Sequence, residues 1–572
     1  MAYVLADHII SPLGNTSEAN YLAVKTGKTG LRSFEAGSRG VAEPFVASLL
    51  SEEQKAVLPQ KEGWSYFECL AYASAQKAIQ KSGIEVNLVN ACFVLSTTKG
   101  SVESLDLDSN SERKLYLGTL ASKISRELGF VAPPIVVCNA CISGLSALIL
   151  ASRLLEEGKY DYVVVCGADV PDRFVISGFQ SLKALSTQPC RPFDMERFGL
   201  NLGEAAATLV LSREIPKARL NADGSSSLWR IGPGFVKNDA FHISAPSKTG
   251  EGLYACLQAV EKSVDIADVA FVNAHGTATL FNDQMESLAI QRAGLTDVPV
   301  NALKGYFGHT LGAAGILETI VSMKAIDDHT VLGTRGFEEL GVSGKIDVVA
   351  SNRSTNKQTF IKMLSGFGGC NAAMVATRKE SVYQSKVLAS KPLQKKHHVR
   401  ICPAGVEVDG KPIHLEMTPE HPDLLTALYK KQIDNYPKFY KMDKLCRLGF
   451  VASELLTHLD SCQEDRAIVL FNYSSSIYSD LRYLESMAGK DNYYPSPSIF
   501  VYTLPNIVTG EIAIRNGWHA ETSFYVLPEK DEQQMEQILQ TTFCDASVKG
   551  ALTGWIDYED EAHYEADLYL VE

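Results

Sequence analysis

Residues 134–147 read PIVVCNACISGLSA. Ile135, Val136, Val137 and Cys138 are apolar and mostly β-branched, as a buried strand requires, and from Gly144 the apolar period changes from two to about 3.6. A strand therefore runs into a helix, with Cys141 at the junction. An unperturbed thiol, with a pKa of about 8.5, is a weak nucleophile at neutral pH, and the unpaired amides and positive end of a helix favour its thiolate. Position alone makes Cys141 a candidate nucleophile. Two plainer readings stand beside it. A cysteine in apolar surroundings is commonly a small core residue. Cys138 and Cys141 also spell C-x-x-C, but a redox pair would place its first cysteine at the helix start, and no second C-x-x-C completes a four-sulfur zinc site.

Outward from this stretch the chain alternates strands with helices. A strand is expected at 4–11, closed by the turn Pro12-Leu13-Gly14-Asn15, with Thr16 capping a helix that runs to Lys25. Helices follow at 64–81, stopped by Gly83, and at 117–128, with strands at 91–96 and 160–167. Residues 191–211, RPFDMERFGLNLGEAAATLVL, form a polar loop fixed by Asp194, Arg197 and Glu204, which enters a strand at 205. A second series has strands at 268–273, 299–303 and 360–364. The first empties into AHGTATLFND, with a helix from Gln284. The second leads to KGYFGHTLGAAGILE, whose small residues let the following helix pack closely on a sheet, and the third to SGFGGCNAAMVAT. Such alternation implies a layered, mostly parallel α/β architecture.

Three groups thus follow strand ends: His275, the pair Lys304 and His309, and the glycine turn at 366–369. Ligands of open α/β sheets gather beyond the carboxyl ends of strands, so convergence is expected. Singly, each has a structural alternative: a histidine satisfying backbone, a solvated lysine, a tight turn. GFGG is not a phosphate loop, because it lacks the lysine and helix of a Walker sequence.

The chain has 572 residues, 45% hydrophobic and 21% charged, which is too long for one ordinary core. A net charge of −13 disfavours general nucleic-acid or anionic-membrane binding. Twelve scattered cysteines and a start lacking a basic leader predict reduced thiols in the cytoplasm. No apolar run reaches the roughly 18 residues of a membrane span.

Taken together, ISPLG, NACISG, RPFDMERFG, HGTATLFND, KGYFGHTLGAAG and GFGGCN, in this order over residues 1–380, resemble a β-ketoacyl synthase of the thiolase superfamily, in its Cys-His-His branch. The resemblance implies a five-layered αβαβα thiolase-like fold and decarboxylative Claisen condensation, with no cofactor and no metal. By it, Cys141 accepts the acyl group, while His275 and His309 polarise the malonyl thioester and stabilise the enolate. Lys304, paired with Glu318, sets their field. The amides of Cys141 and Phe367 form the oxyanion hole, and Phe367, flanked by glycines, gates the acyl channel. An acyl carrier protein, acyl- or malonyl-loaded, is the implied partner, and a basic patch near the pocket mouth is expected for it. The resemblance also implies a homodimer, or a heterodimer with a second synthase-like chain. Asn139, Ile142 and Ser143 depart from the residues the family often has there. The bulk of Ile142 suggests an altered acyl pocket and, with the second unit described next, leans toward polyketide or polyene-type assembly over ordinary fatty-acid synthesis.

Residues 381–405 are basic and poor in apolar side chains and read as a linker, with His397 and His398 as solvated residues rather than metal ligands. From about Tyr440 the element order repeats that of the first half. Where a nucleophile would stand, the chain has Pro528-Glu529-Lys530. Residues 406–572 are thus expected to be a truncated, inactive synthase-like α/β half-unit. Two rivals remain open: a non-condensing partner of the chain-length-factor kind, which has no need of a nucleophile, and a thiolase using Cys370 as a second cysteine base.

Overall fold

The computed structural model describes residues 2–105, 115–219, 227–378, 393–415, 423–460, 464–488 and 495–572. The synthase-like part contributes β1 (Ala2–Ile10), α1 (Tyr66–Ser82), β2 (Ala91–Ser96), α2 (Leu117–Glu127), β3 (Ile135–Val137), α3 (Ser143–Glu156), β4 (Tyr162–Asp169), β5 (Ala205–Ser212) and β6 (Arg230–Asn238). It continues with β7 (Val269–Asn273), β8 (Pro299–Asn301), α4 (Ala314–Asp327), β9 (Thr359–Ser365) and β10 (Cys370–Thr377). These match the expected order. Local chemistry explains the boundaries. In α1, Ser65 and Glu68 form a capping box and Gly83 ends the helix in the left-handed region at φ 76°. The helix expected from Gln284 begins earlier, at Leu280.

The pairings run β8, β7, β9, β10, β6, β1, β5, β4, β2, β3, and do not stop there. The last third of the chain supplies β11 (Lys395–Cys402), α5 (Lys444–Thr457), β12 (Ala467–Asn472), α6 (Ile507–Asn516), β13 (Thr522–Val526), β14 (Ala551–Tyr558) and β15 (Tyr564–Val571). Here the order is β13, β12, β14, β15, β11, with the first two pairings parallel and the next two antiparallel. The succession β3, β2, β4, β5, β1 has the same order and the same directions. Helix α1 packs on β1, β4 and β5, and α5 packs on β11, β14 and β15. The second unit therefore has the sheet order of the first.

The two orders meet where β3 pairs antiparallel with β13, Tyr525 opposite Val137 and Val526 opposite Val136. The strand edge beside the nucleophile is thus taken by the chain itself, so a homodimer cannot form through it while this pairing stands. The residues expected as a linker, 381–405, do not all behave as one. Residues 395–402 form β11, because Val399 and Ile401 alternate into the core beside β15. Strand β11 thus belongs to the ladder of the last third of the chain, and residues 381–392 lie outside the described ones. His397 and His398 face carboxylates, Asp409 at 2.9 Å and Asp567 at 2.6 Å.

Candidate active site

Why four separate sequence segments converge follows from the ladder. Strands β8, β7 and β9 are parallel neighbours, so their carboxyl ends deliver His309, His275 and the glycine turn to one rim. Cys141 arrives from β3 through a 3₁₀ turn, Ala140–Ile142, that continues into α3. The turn is strained: Ala140 has φ 47°, as do Ala278 at 62° and Leu311 at 51° in the segments that carry the histidines. Glycines allow the central helices to meet, since a Cβ on Gly315 would lie 2.3 Å from the Leu145 amide nitrogen.

One ligand atom each from Cys141, His275 and His309 lie within 4.8 Å of one another, all buried. The imidazole centroids are 5.0 Å apart and nearly perpendicular, at 83°. Nδ1 of His309 accepts from the Leu311 amide at 3.2 Å, which leaves its proton on Nε2. That Nε2, and Nδ1 of His275, have no partner among the described residues. Burial, helped by the Lys304 and Lys362 charges, holds both imidazoles well below their ordinary pKa, so they are neutral donors.

Lys304 donates to the His275 carbonyl at 2.6 Å and to Glu318 at 2.9 Å. Sequence reasoning missed Lys362, which pairs with the other Glu318 oxygen at 2.7 Å and is wholly buried. It lies inside a strand with no motif to mark it. Burial alone would raise the Glu318 carboxyl, yet the two lysines hold it below its usual value. Also missed was Glu286, which accepts from the amides of His275 and Gly276 at 2.7 and 2.8 Å and fixes the backbone that aims His275.

The helix end does not give a resting thiolate. Burial pushes the Cys141 thiol up to about 12, against the Lys304 charge and the amides of Cys141 and Phe367, which face the sulfur. A thiolate and two imidazoles would also suit a soft divalent cation, but that use needs a thiolate that burial opposes. The trio opens on a pocket of about 360 Å³. Beyond Cys141 lies a void of about 20 Å³, lined by Lys99, Val175, Phe179, Phe367 and Phe500 among others.

One expectation about the surroundings changes. Ile142 does not shape the pocket: successive residues of a 3₁₀ turn project about 120° apart, so with Cys141 facing the site, Ile142 packs into the apolar core around α3. The lining itself is largely apolar toward the mouth. Lys183 is the only lysine or arginine among the lining residues, whereas Phe198, Leu280 and Phe281 are 74%, 56% and 75% exposed. Cys370 is buried behind the glycine turn, within 3.2 Å of the Phe367 carbonyl, and does not line the pocket, as a second cysteine base would have to.

Comparison with known proteins agrees with this geometry. Residues 9–215 match the family profile "Beta-ketoacyl synthase, N-terminal domain" and residues 231–338 the corresponding C-terminal domain. A 3-oxoacyl-[acyl-carrier-protein] synthase 2 from Rhizobium meliloti is 37% identical over 258 residues, 42% of this chain and 60% of that protein. The Coxiella burnetii protein of the same name is 29% identical over 405 residues, 65% of this chain and 96% of that one. The tetracenomycin polyketide synthase ketoacyl synthase alpha subunit of Streptomyces glaucescens is 31% identical, covering 54% of this chain and 80% of its own. In fold, the PfaC keto synthase-chain length factor structure aligns with 100% of this chain and 78% of its own at TM-score 0.76 and 13% identity.

Proposed function

This chain belongs to the β-ketoacyl synthase family and is a 3-oxoacyl-[acyl-carrier-protein] synthase, a condensing acyltransferase, and from that premise we propose how its residues perform the condensation. Cys141 attacks the acyl thioester. A bond forms from Sγ to the acyl carbon, the carrier's carbon–sulfur bond breaks, and the thiol proton leaves on the carrier thiol. The oxyanion formed on the way sits between the amides of Cys141 and Phe367. A malonyl thioester then enters, and its carbonyl accepts from the imidazoles of His275 and His309. Loss of carbon dioxide leaves its electron pair in an enolate, which those neutral donors stabilise. The enolate carbon attacks the acyl carbon and expels the Cys141 thiolate, which takes up a proton. Lys304, Lys362 and Glu318 hold the field without touching substrate.

The observation that carries this reading is the buried convergence of one thiol and two neutral imidazoles within 4.8 Å. The partner is an acyl carrier protein loaded with acyl or malonyl groups, and the apolar mouth is where it sits. Residues 395–572 act as an inactive half-unit in the position of a second synthase subunit. Three buried ion pairs support this: Arg153 with Glu521 at 2.8 Å, Lys237 with Asp545 at 2.6 Å, and Lys99 with Asp480 at 2.7 Å. Every cation is on the synthase side and every anion on the other.

The test is product formation from acyl- and malonyl-carrier by the wild type and by H275A and H309A. The reading predicts that both variants still take an acyl group but release carbon dioxide at least about a hundredfold more slowly. Full decarboxylation by the double variant would contradict it.

A further inference from the structure

The glycine turn that carries Phe367 rests on the C-terminal unit, and the contacts reach its backbone. Asn506, just before α6, donates through Nδ2 to the Phe367 carbonyl at 2.8 Å. Within α6, Gly510 lies so close that a Cβ there would stand 2.6 Å from the Gly368 carbonyl oxygen. The Phe367 ring stacks on Phe179, with centroids 6.2 Å apart, and Phe179 meets Phe500 of the C-terminal unit edge-on at 5.5 Å. Asn506 is 1% exposed, and its Oδ1 has no partner among the described residues. Its Nδ2 also lies 3.8 Å from the Cys370 sulfur, so the buried amide faces the glycine turn at two points.

The backbone it grips has little stiffness of its own. Gly368 and Gly369 have φ of 89° and 72°, and Gly366 precedes Phe367. With glycine on both sides, the peptide units around Phe367 can rotate at low cost unless something outside the loop fixes them. Two bonds from the synthase side also act here: Gly368 N–H, in the same peptide plane as the Phe367 carbonyl, donates to the Ile243 carbonyl at 2.7 Å, and Asn238 Nδ2 donates to the Gly368 carbonyl at 2.8 Å. Phe367's own carbonyl accepts from the Cys370 thiol within the loop, at 3.2 Å, and from outside it from Asn506, the shorter bond and the one with an amide donor.

We propose that Asn506 is a positioning residue for acyl transfer. By fixing the carbonyl of Phe367 it fixes the residue whose N–H faces the Cys141 sulfur, so the C-terminal unit completes the oxyanion hole as well as covering a face. This rests on reading the Phe367 amide as an oxyanion donor. Loss of a direct donor costs about 10²–10³ in rate, and loosening one through its neighbour is expected to cost about tenfold.

The experiment compares two reactions of the same sulfur in the full-length protein. One is acylation of Cys141 by an acyl thioester of N-acetylcysteamine. The other is alkylation by iodoacetamide, which forms no oxyanion. N506A is expected to acylate about tenfold more slowly with KM within about twofold, while alkylating at the wild-type rate. N506D, whose carboxylate cannot donate, should be at least as slow. G510A, which pushes on Gly368, should separate the two reactions in the same way. N506S, with a shorter donor, should fall between wild type and N506A, and with G510A it carries the test if N506A does not fold. Acylation by N506A at the wild-type rate overturns the proposal, as does an equal fall of acylation and alkylation in the variants that fold. An acyl adduct persisting in C141A would instead sink the assignment of the nucleophile, and is read separately.

Discussion

The amide of Phe524 donates to the side-chain carbonyl of Asn139 at 2.7 Å, across 385 residues of sequence. The Cys138 amide answers with a bond to the Phe524 carbonyl at 3.1 Å. Asn139 stands two residues before the nucleophile, so the turn that presents Cys141 is tied on one side to a strand of the C-terminal unit. Asn139 supplies the side-chain acceptor on the synthase side of this contact.

If the two units are matched by charge, breaking one buried pair should unfold the protein more easily. E521Q leaves Arg153 as an unpaired buried cation, which costs about 3–5 kcal/mol. E521R should be worse, and R153E combined with E521R should recover a large part of the loss. Thermal denaturation measures it, and an unchanged melting temperature in E521Q would count against the matched interface.

With the Cys141 thiol pushed up to about 12 by burial, its thiolate fraction grows about tenfold per pH unit through the neutral and mildly alkaline range. The rate of Cys141 alkylation by iodoacetamide should therefore climb with unit slope from about pH 7 to about pH 10. A plateau near the ordinary thiol value of about 8.5 would show that the site holds the thiolate after all.

Glu318 lies between two buried lysines. E318Q is expected to destabilise by about 3–5 kcal/mol, because two like charges lose their shared counter-charge. Adding K362M should restore part of that stability. K362M alone should slow decarboxylation about 10–100-fold, as removal of outer-shell partners typically does. Calorimetry and carbon dioxide release check the two halves, and an E318Q protein as stable as wild type would refute the first.

An apolar mouth predicts a carrier interface that salt barely weakens. F198D and F281D should raise KM for carrier-bound substrates about tenfold and leave N-acetylcysteamine thioesters unaffected. Raising salt should change the carrier KM by less than about twofold. A KM that rises steeply with salt yet ignores F281D would place the carrier on a basic patch instead.

The strand and helix order was readable because period and caps announce it: Ser65 and Gly83 bound α1 where the pattern ends. The site residues Cys141, His275, Lys304 and His309 were readable through their motifs. Lys362 and Glu286 were not, since their roles arise only when distant strands lie side by side. Ile142 misled because sequence shows adjacency to Cys141 but not the turn geometry that points it into the core. Residues 395–402 misled because basic composition outweighed the alternation of Val399 and Ile401. The edge-to-edge pairing of β3 with β13 left no local mark at all.

Everything turns on whether the sulfur of Cys141 carries the growing chain. The direct measurement is peptide mass spectrometry after mixing the protein with acyl-carrier, then chasing with malonyl-carrier. The account predicts an acyl mass on the peptide containing Cys141 that disappears on the chase as 3-oxoacyl-carrier and carbon dioxide appear in equal amounts. An unmodified Cys141 throughout, with product still forming, would contradict it.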